Sequence, residues 1–269
     1  AAVPALAGVP IDCEQVAQID SKDMDHATWQ RLAQRAAHHL ARADVAGVVL
    51  THGTDTLEET AYLLHRVLSP SKPLVLTAAM RPATALSADG PANLANAVTV
   101  ARHAGARGVL VTMAGTVHAG CEVRKLATTA LDAFSSGDAG PVARIDGFEL
   151  RVLRPWPTEA ALGLDCIAQD VARWPTVAIV TSHAGATGIE VDALVNAGIA
   201  GLVIAATGNG TVHHRLEAAL TRAQQRGVRV LRAARCAQGR IIDTDAAGLA
   251  HAAQLTPAQA RVQLLLALL

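Results

Sequence analysis

An apolar run from Val45 to Leu50 breaks at Thr51-His-Gly-Thr-Asp-Thr56 and hands over to a helical pattern that continues to Leu68. This handover constrains the fold more than any other stretch. A run so short and so apolar reads as a strand buried on both faces, as in a parallel sheet. The turn that follows delivers a hydroxyl (Thr54) and a carboxylate (Asp55) to the carboxyl edge of that sheet, where open α/β folds bind ligands. Thr56 and Glu59 have the spacing of a capping box.

The same handover recurs along the chain. Trp29, Leu32, Ala36 and Leu40 fall at helical spacing and predict a helix over 27–43, ahead of the strand at 45–51 and the helix at 56–68. A strand at 73–78, a helix at 91–103 and a strand at 108–113 continue the series. Such βαβα order predicts a parallel sheet with helices on both faces. After Gly140 the rhythm lapses. Pro141, Pro155, Pro157 and Pro175 punctuate a stretch without clean periodicity, which reads as a short β excursion and a connection. Strands at 176–181, 201–206 and 228–231 and helices at 190–197, 212–226 and 257–268 then restore it. The expected architecture is α/β: a larger N-terminal domain (1–151) with a mainly parallel, flavodoxin-like sheet, a linker (152–174), and a smaller C-terminal α/β domain (175–269).

Composition narrows the function classes. The 269 residues are 51% hydrophobic but only 2% aromatic, so Ala, Val and Leu must build the core. Basic and acidic residues balance at 23 each, with no basic stripe, which argues against nucleic acid or an anionic membrane as partner. No apolar run reaches the roughly 18 residues of a membrane helix. Residues 1–11 lack a basic n-region and carry Pro4 and Pro10, unlike a signal peptide. The chain does not start with Met, so its first residues say little of export. Cys13, Cys121, Cys166 and Cys236 stand far apart with no CxxC pair, and no histidines have HExxH spacing. Separate reduced cysteines are expected, without a zinc site or a disulfide framework.

Several positions could carry chemistry. Thr54 and Asp55 lie at a helix N-terminus, whose free N–H groups and dipole favour anionic ligands. On local pattern alone, capping is the plainer role. Yet a cap needs neither Gly53, which admits close backbone approach, nor three threonines in one turn. Lys occurs only at Lys22, Lys72 and Lys125, which draws attention to each. Lys125 follows a Gly-rich loop; a lone lysine is most often solvated, and acts as a base only when its surroundings permit. In the loop 78–91, Arg81 and Asp89 could pair to hold the backbone. Thr207-Gly-Asn-Gly-Thr211 is similar to a phosphate-binding turn but lacks the lysine and spacing of a P-loop.

Together these segments closely resemble the bacterial-type L-asparaginases, amidohydrolases that release ammonia from Asn and often Gln. The resemblance runs nearly end to end, through Asp20-Ser-Lys-Asp-Met24, Thr51-His-Gly-Thr-Asp-Thr-Leu-Glu-Glu-Thr-Ala61, Ala79-Met-Arg-Pro82, Ser87-Ala-Asp-Gly-Pro91, Lys125 with Thr128 and Thr129, Gly208-Asn-Gly210 and Leu255-Thr-Pro-Ala-Gln-Ala-Arg261. It implies that Thr54, Asp55 and Lys125 match a catalytic Thr–Asp–Lys triad. Ser21 would hold the substrate α-carboxylate, Lys22 would stand where Gln is commoner, and Ala79 would lie beside the side-chain amide. It also implies a Thr-dependent acyl-enzyme, no metal or organic cofactor, a small-molecule substrate (L-Asn or L-Gln), and a homo-oligomer, expected to be a tetramer, in the cytoplasm or the periplasm with the cytoplasm favoured.

The chain also departs from the family pattern. The Thr-Gly-Gly-Thr strand that bears the family's primary nucleophile is not in this sequence. A sheet without it would leave backbone unpaired, so further residues are expected ahead of Ala1. Thr211 stands where a substrate-contacting Asn is common. The acidic residue contributed by a neighbouring subunit has no clear match near Ile241, with Asp243 and Asp245 close by. The alternative is a catalytically impaired amino-acid-binding homologue or a truncated form. The glutamyl-tRNA amidotransferase subunit that shares the Thr-His-Gly-Thr-Asp-Thr block carries an additional domain and a partner.

Overall fold

A mixed sheet organises the first half of the chain. The computed structural model describes residues 3–147, 149–242 and 249–269, and these divide into two units, 1–168 and 169–269. In the first unit, β1 (Val48–Thr51), β2 (Pro73–Thr77) and β3 (Gly108–Met113) run parallel, with helices α1 (His26–Ala41), α2 (Leu57–Leu68) and α3 (Gly90–Ala101) between them in sequence. Beyond β3 the sheet turns antiparallel through β4 (Thr116–Ala119), β7 (Ala143–Asp146) and β8 (Glu149–Val152), in the order β1-β2-β3-β4-β7-β8. A short ribbon, β5 (Arg124–Lys125) with β6 (Phe134–Ser135), sits between β4 and β7 in sequence. Among the described strands, β1 has one neighbour, β2.

The layers follow from strand alternation. Val75 and Leu110 face α3 and join a core with Ala97, Val100, Val117 and Ile145. On the opposite face Val109 approaches the Ala61 backbone of α2: a β-carbon added to Gly120 would meet Val109 Cγ1 and Ala61 O at 2.8 and 3.1 Å. Every residue of β2 and β3 is buried. The apolar runs of β2 and β3 therefore reflect helices on both sides, whereas β1, expected to be buried, is half-buried with Thr51 exposed. The antiparallel half goes further than the short β excursion expected after Gly140.

The second unit is a three-stranded parallel sheet, β9 (Val177–Thr181), β10 (Gly201–Ala206) and β11 (Arg229–Ala234), in the order β11-β10-β9. Helices α4 (Ile189–Asn196) and α5 (His214–Gln225) supply Val191, Val195, Leu216 and Leu220 to one core, against Leu202 and Ile204. Helix α6 (Pro257–Leu268) covers the other face, where Leu264 and Leu268 close on Gly201. Its start is a full capping box, Thr256 with Gln259. No helix among the described residues is long and apolar enough to cross a membrane.

Candidate active site

The parallel register sets the site. Thr51 of β1 lies level with Thr77 of β2, so residues 52–55 and 78–80 leave the sheet at the same edge. From there Thr54 and Asp55 lead into α2. Lys125, on the β5–β6 ribbon, reaches both: its Nζ donates to Thr54 Oγ1 at 2.9 Å and to Asp55 Oδ1 at 2.7 Å. The Lys125 side chain is 20% exposed, and that of Asp55 is 55% exposed, so the carboxylate keeps a face open to a ligand. The Lys125 backbone N–H is held by Glu58 of α2, Oε2 at 2.7 Å. One end of α2 thus positions both the hydroxyl and the amine.

Ser21 joins the same cluster. Its buried Oγ accepts from the Asp55 N–H at 3.2 Å, and its carbonyl accepts from Thr56 Oγ1 at 2.6 Å. Here the expected capping box fails. Thr56 is the N-cap residue of α2, but its side chain makes no capping bond, because its hydroxyl is drawn to Ser21. Lys22, next in sequence, turns away: its Nζ bonds to Asp20 and Asp23 at 2.9 and 3.1 Å, with 61% of the side chain exposed. Ala79 lies exposed just past the carboxyl end of β2. The structure therefore gathers Thr54, Asp55, Lys125 and Ser21, sets Ala79 on the shared edge, and leaves Lys22 among its own carboxylates.

Two supporting networks had no clear sequence signal. Beneath the turn, Trp29 Nε1 donates to Thr60 Oγ1 at 2.8 Å, Thr60 lies 3.0 Å from His52 Nε2, and His52 Nδ1 lies 2.6 Å from the Gly53 carbonyl. Burial lowers the His52 pKa and favours the neutral ring. Since the Trp29 N–H occupies Thr60 as acceptor, Thr60 gives its proton to Nε2, and Nδ1–H faces the carbonyl. Beneath the loop after β2, buried Asn93 donates to the Ala78 carbonyl and accepts from the Ala114 N–H, both at 3.0 Å. Asp89 accepts the Met80 and Arg81 N–H groups at 2.9 Å. Burial works to raise its pKa, but those bonds, with its own N–H and Asn93, outweigh burial and hold the carboxyl below the usual range. The Arg81 guanidinium bonds to Ser87 instead of pairing with Asp89. The two residues do hold the loop, through different partners.

The Thr207–Thr211 turn is closed on itself at its two ends. Thr207 and Thr211 exchange N–H···O bonds of 3.0 and 2.9 Å, and Asn209 pairs with the Ile242 backbone. Its glycines serve the turn: Gly210, at φ +81°, would drive a β-carbon into Ile241. Asp243 and Asp245 lie outside the described residues. All four cysteines are free.

Comparison with known proteins places the chain in a family. Residues 1–158 match the family model described as Asparaginase, N-terminal, and residues 176–269 match the Glutaminase/Asparaginase C-terminal domain. L-asparaginase 2 of Escherichia coli strain K12 is 38% identical, over 99% of this chain and 78% of its own length. A glutaminase-asparaginase of Pseudomonas fluorescens biotype A is 36% identical, over 86% of this chain and 65% of its own. The crystal structure of a probable cytoplasmic L-asparaginase from Campylobacter jejuni superposes with a TM-score of 0.89 at 35% identity, covering 99% of this chain and 87% of that one. With both family models matched and relatives aligned along nearly its whole length, the chain belongs to the bacterial-type asparaginase family.

Proposed function

We propose that Thr54, Lys125 and Asp55 are the working residues of an L-asparaginase that hydrolyses L-asparagine to L-aspartate and ammonia, with L-glutamine as a second substrate. The observation that carries this reading is the single Lys125 amine lying between the Thr54 hydroxyl and the Asp55 carboxylate. A threonine hydroxyl is a poor nucleophile without an adjacent base. When Lys125 has given up a proton, the Thr54–Lys125 pair can relay one from the attacking oxygen. Attack of a threonine hydroxyl on the side-chain amide carbon forms an ester, and its proton passes through the relay to the departing ammonia. Attack of water on that ester then returns a proton to the threonine and frees L-aspartate.

Binding follows from the surrounding groups. The open face of Asp55 suits the substrate's α-ammonium. The Ser21 hydroxyl accepts from the Asp55 N–H and keeps its own proton to donate to the α-carboxylate, near the positive end of α2. The peptide at Ala79 lies on the same edge for the reacting amide. Ammonia release by the full-length protein, followed with L-asparagine and L-glutamine in turn, tests the assignment. Turnover of L-asparagine is expected, and release from neither amide would overturn it.

For the working form we infer a homotetramer in the cytoplasm. The family resemblance supports the assembly. Four free cysteines, with Cys13 and Cys236 exposed, suit a reducing compartment. Sedimentation of the purified protein and cell fractionation test the two points.

A further inference from the structure

Away from Thr54 and Lys125, three residues remote in sequence converge at the other end of α2. His65 lies in the last turn of that helix, Cys121 follows β4, and Glu159 lies on the segment after β8. One ligand atom from each falls within 4.8 Å of the others. His65 is 1% exposed, and neither of its ring nitrogens has a hydrogen-bond partner. Its Nε2 stands 3.4 Å from Glu159 Oε2 without bonding geometry. A buried imidazole with Nδ1 unpartnered and Nε2 offered only a long contact to a carboxylate is unusual, because buried polar groups normally find partners.

We propose that His65, Cys121 and Glu159 form a binding site for a zinc-like divalent cation. Imidazole, thiolate and carboxylate are the three protein ligand types that Zn2+ accepts, and a three-ligand site leaves a fourth position for water. Bonds of about 2.0–2.3 Å around a tetrahedral ion set its ligand atoms roughly 3.3–3.8 Å apart. The His65–Glu159 separation already matches. The other two separations are no more than 4.8 Å, so they need to close by at most about 1.5 Å, which side-chain rotation supplies.

The backbone holds the ligands in place. Ser69 donates to the Glu159 carbonyl, while the Leu162 and Gly163 N–H groups donate to the Arg66 and Val67 carbonyls at the end of α2, at 2.8 and 3.1 Å. Arg66 donates at 3.2 Å to Glu159 Oε2, the oxygen that faces His65, so metal binding requires Arg66 to yield that oxygen or the carboxylate to turn Oε1 to the ion. Zn2+ takes the Cys121 sulfur as thiolate, so binding releases one H+ as the S–metal bond forms. Such an ion would fasten the loop that carries Lys125 to the helix that carries Glu58. Sequence spacing gave no hint of the site, because its ligands come from three separate elements.

The test uses the full-length protein with the exposed Cys13 and Cys236 replaced by Ser, titrated with Co2+ as a spectroscopic probe and then with Zn2+. One equivalent of Co2+ should produce thiolate-to-metal charge-transfer absorption, which Zn2+ abolishes by displacement. Cys121→Ser should remove that absorption. Glu159→Gln, a change at an exposed side chain that leaves the core intact, should weaken binding at least about tenfold. Zn2+ should raise the unfolding temperature of the parent more than that of Glu159→Gln. Absence of the charge-transfer band, or equal affinity in the parent and Glu159→Gln, would overturn the site.

Discussion

Gly53 and Ser21 approach so closely that an ideal β-carbon on Gly53 would lie 2.8 Å from Ser21 Cβ and nearer still to its Oγ. Ser21 cannot simply retreat, because Asp55 and Thr56 both bond to it. We expect Gly53→Ala to cost about 1–3 kcal/mol of stability. The displaced serine should also raise KM for L-asparagine about tenfold or more. Steady-state kinetics alongside chemical unfolding check both effects. An unchanged KM would mean that Ser21 does not hold the substrate.

Asn93 ties the ends of two strands together, from the Ala78 carbonyl after β2 to the Ala114 N–H after β3. Asn93→Ala would leave the buried Ala78 carbonyl without this partner, at a cost of about 1–3 kcal/mol, and would release the Ala114 N–H. The Ala79 peptide loses its support at the same time. Lower stability with a reduced kcat/KM for L-asparagine is expected. Wild-type kinetics in a destabilised variant would show that the loop needs no such anchor.

His118 makes stability depend on pH. Burial, and then the charges of Arg144 and Arg154, lower its pKa from 6.5 to about 4. Between those values the unfolded chain takes up a proton that the folded chain refuses. Its contribution is therefore complete above about pH 6.5 and is lost as the pH falls toward 4, by about 3 kcal/mol in total. Burial acts in the same sense on His52 and His65, so part of the slope belongs to them. His118→Gln should flatten the dependence measured by denaturant unfolding at a series of pH values. An unaltered slope would refute the assignment.

The parallel strands of both units were legible because each is a short apolar run closed by a turn and followed by helical spacing. Strands β4 to β8 were harder to read. They are two to four residues long, and β4 buries His118, a residue that carries no strand signal. Thr56 and Glu59 had capping-box spacing, but spacing does not record that Ser21 would claim the hydroxyl. Asn93, His52 and Glu58 act through partners set by tertiary contact. Lys125 stood out as one of three lysines, yet only the family resemblance linked it to Thr54. No local pattern brings together residues so remote along the chain.

On the proposed mechanism, Lys125 and Thr54 act as one proton relay. The most direct test is the rate of ammonia release at saturating L-asparagine for Thr54→Ala and Lys125→Met in the full-length protein, with unfolding curves to confirm that both variants fold. The relay predicts that kcat falls by about 10²–10⁴ in each variant. It also predicts that combining the two changes costs little more than either alone. A kcat within about tenfold of the parent in either folded variant would contradict it.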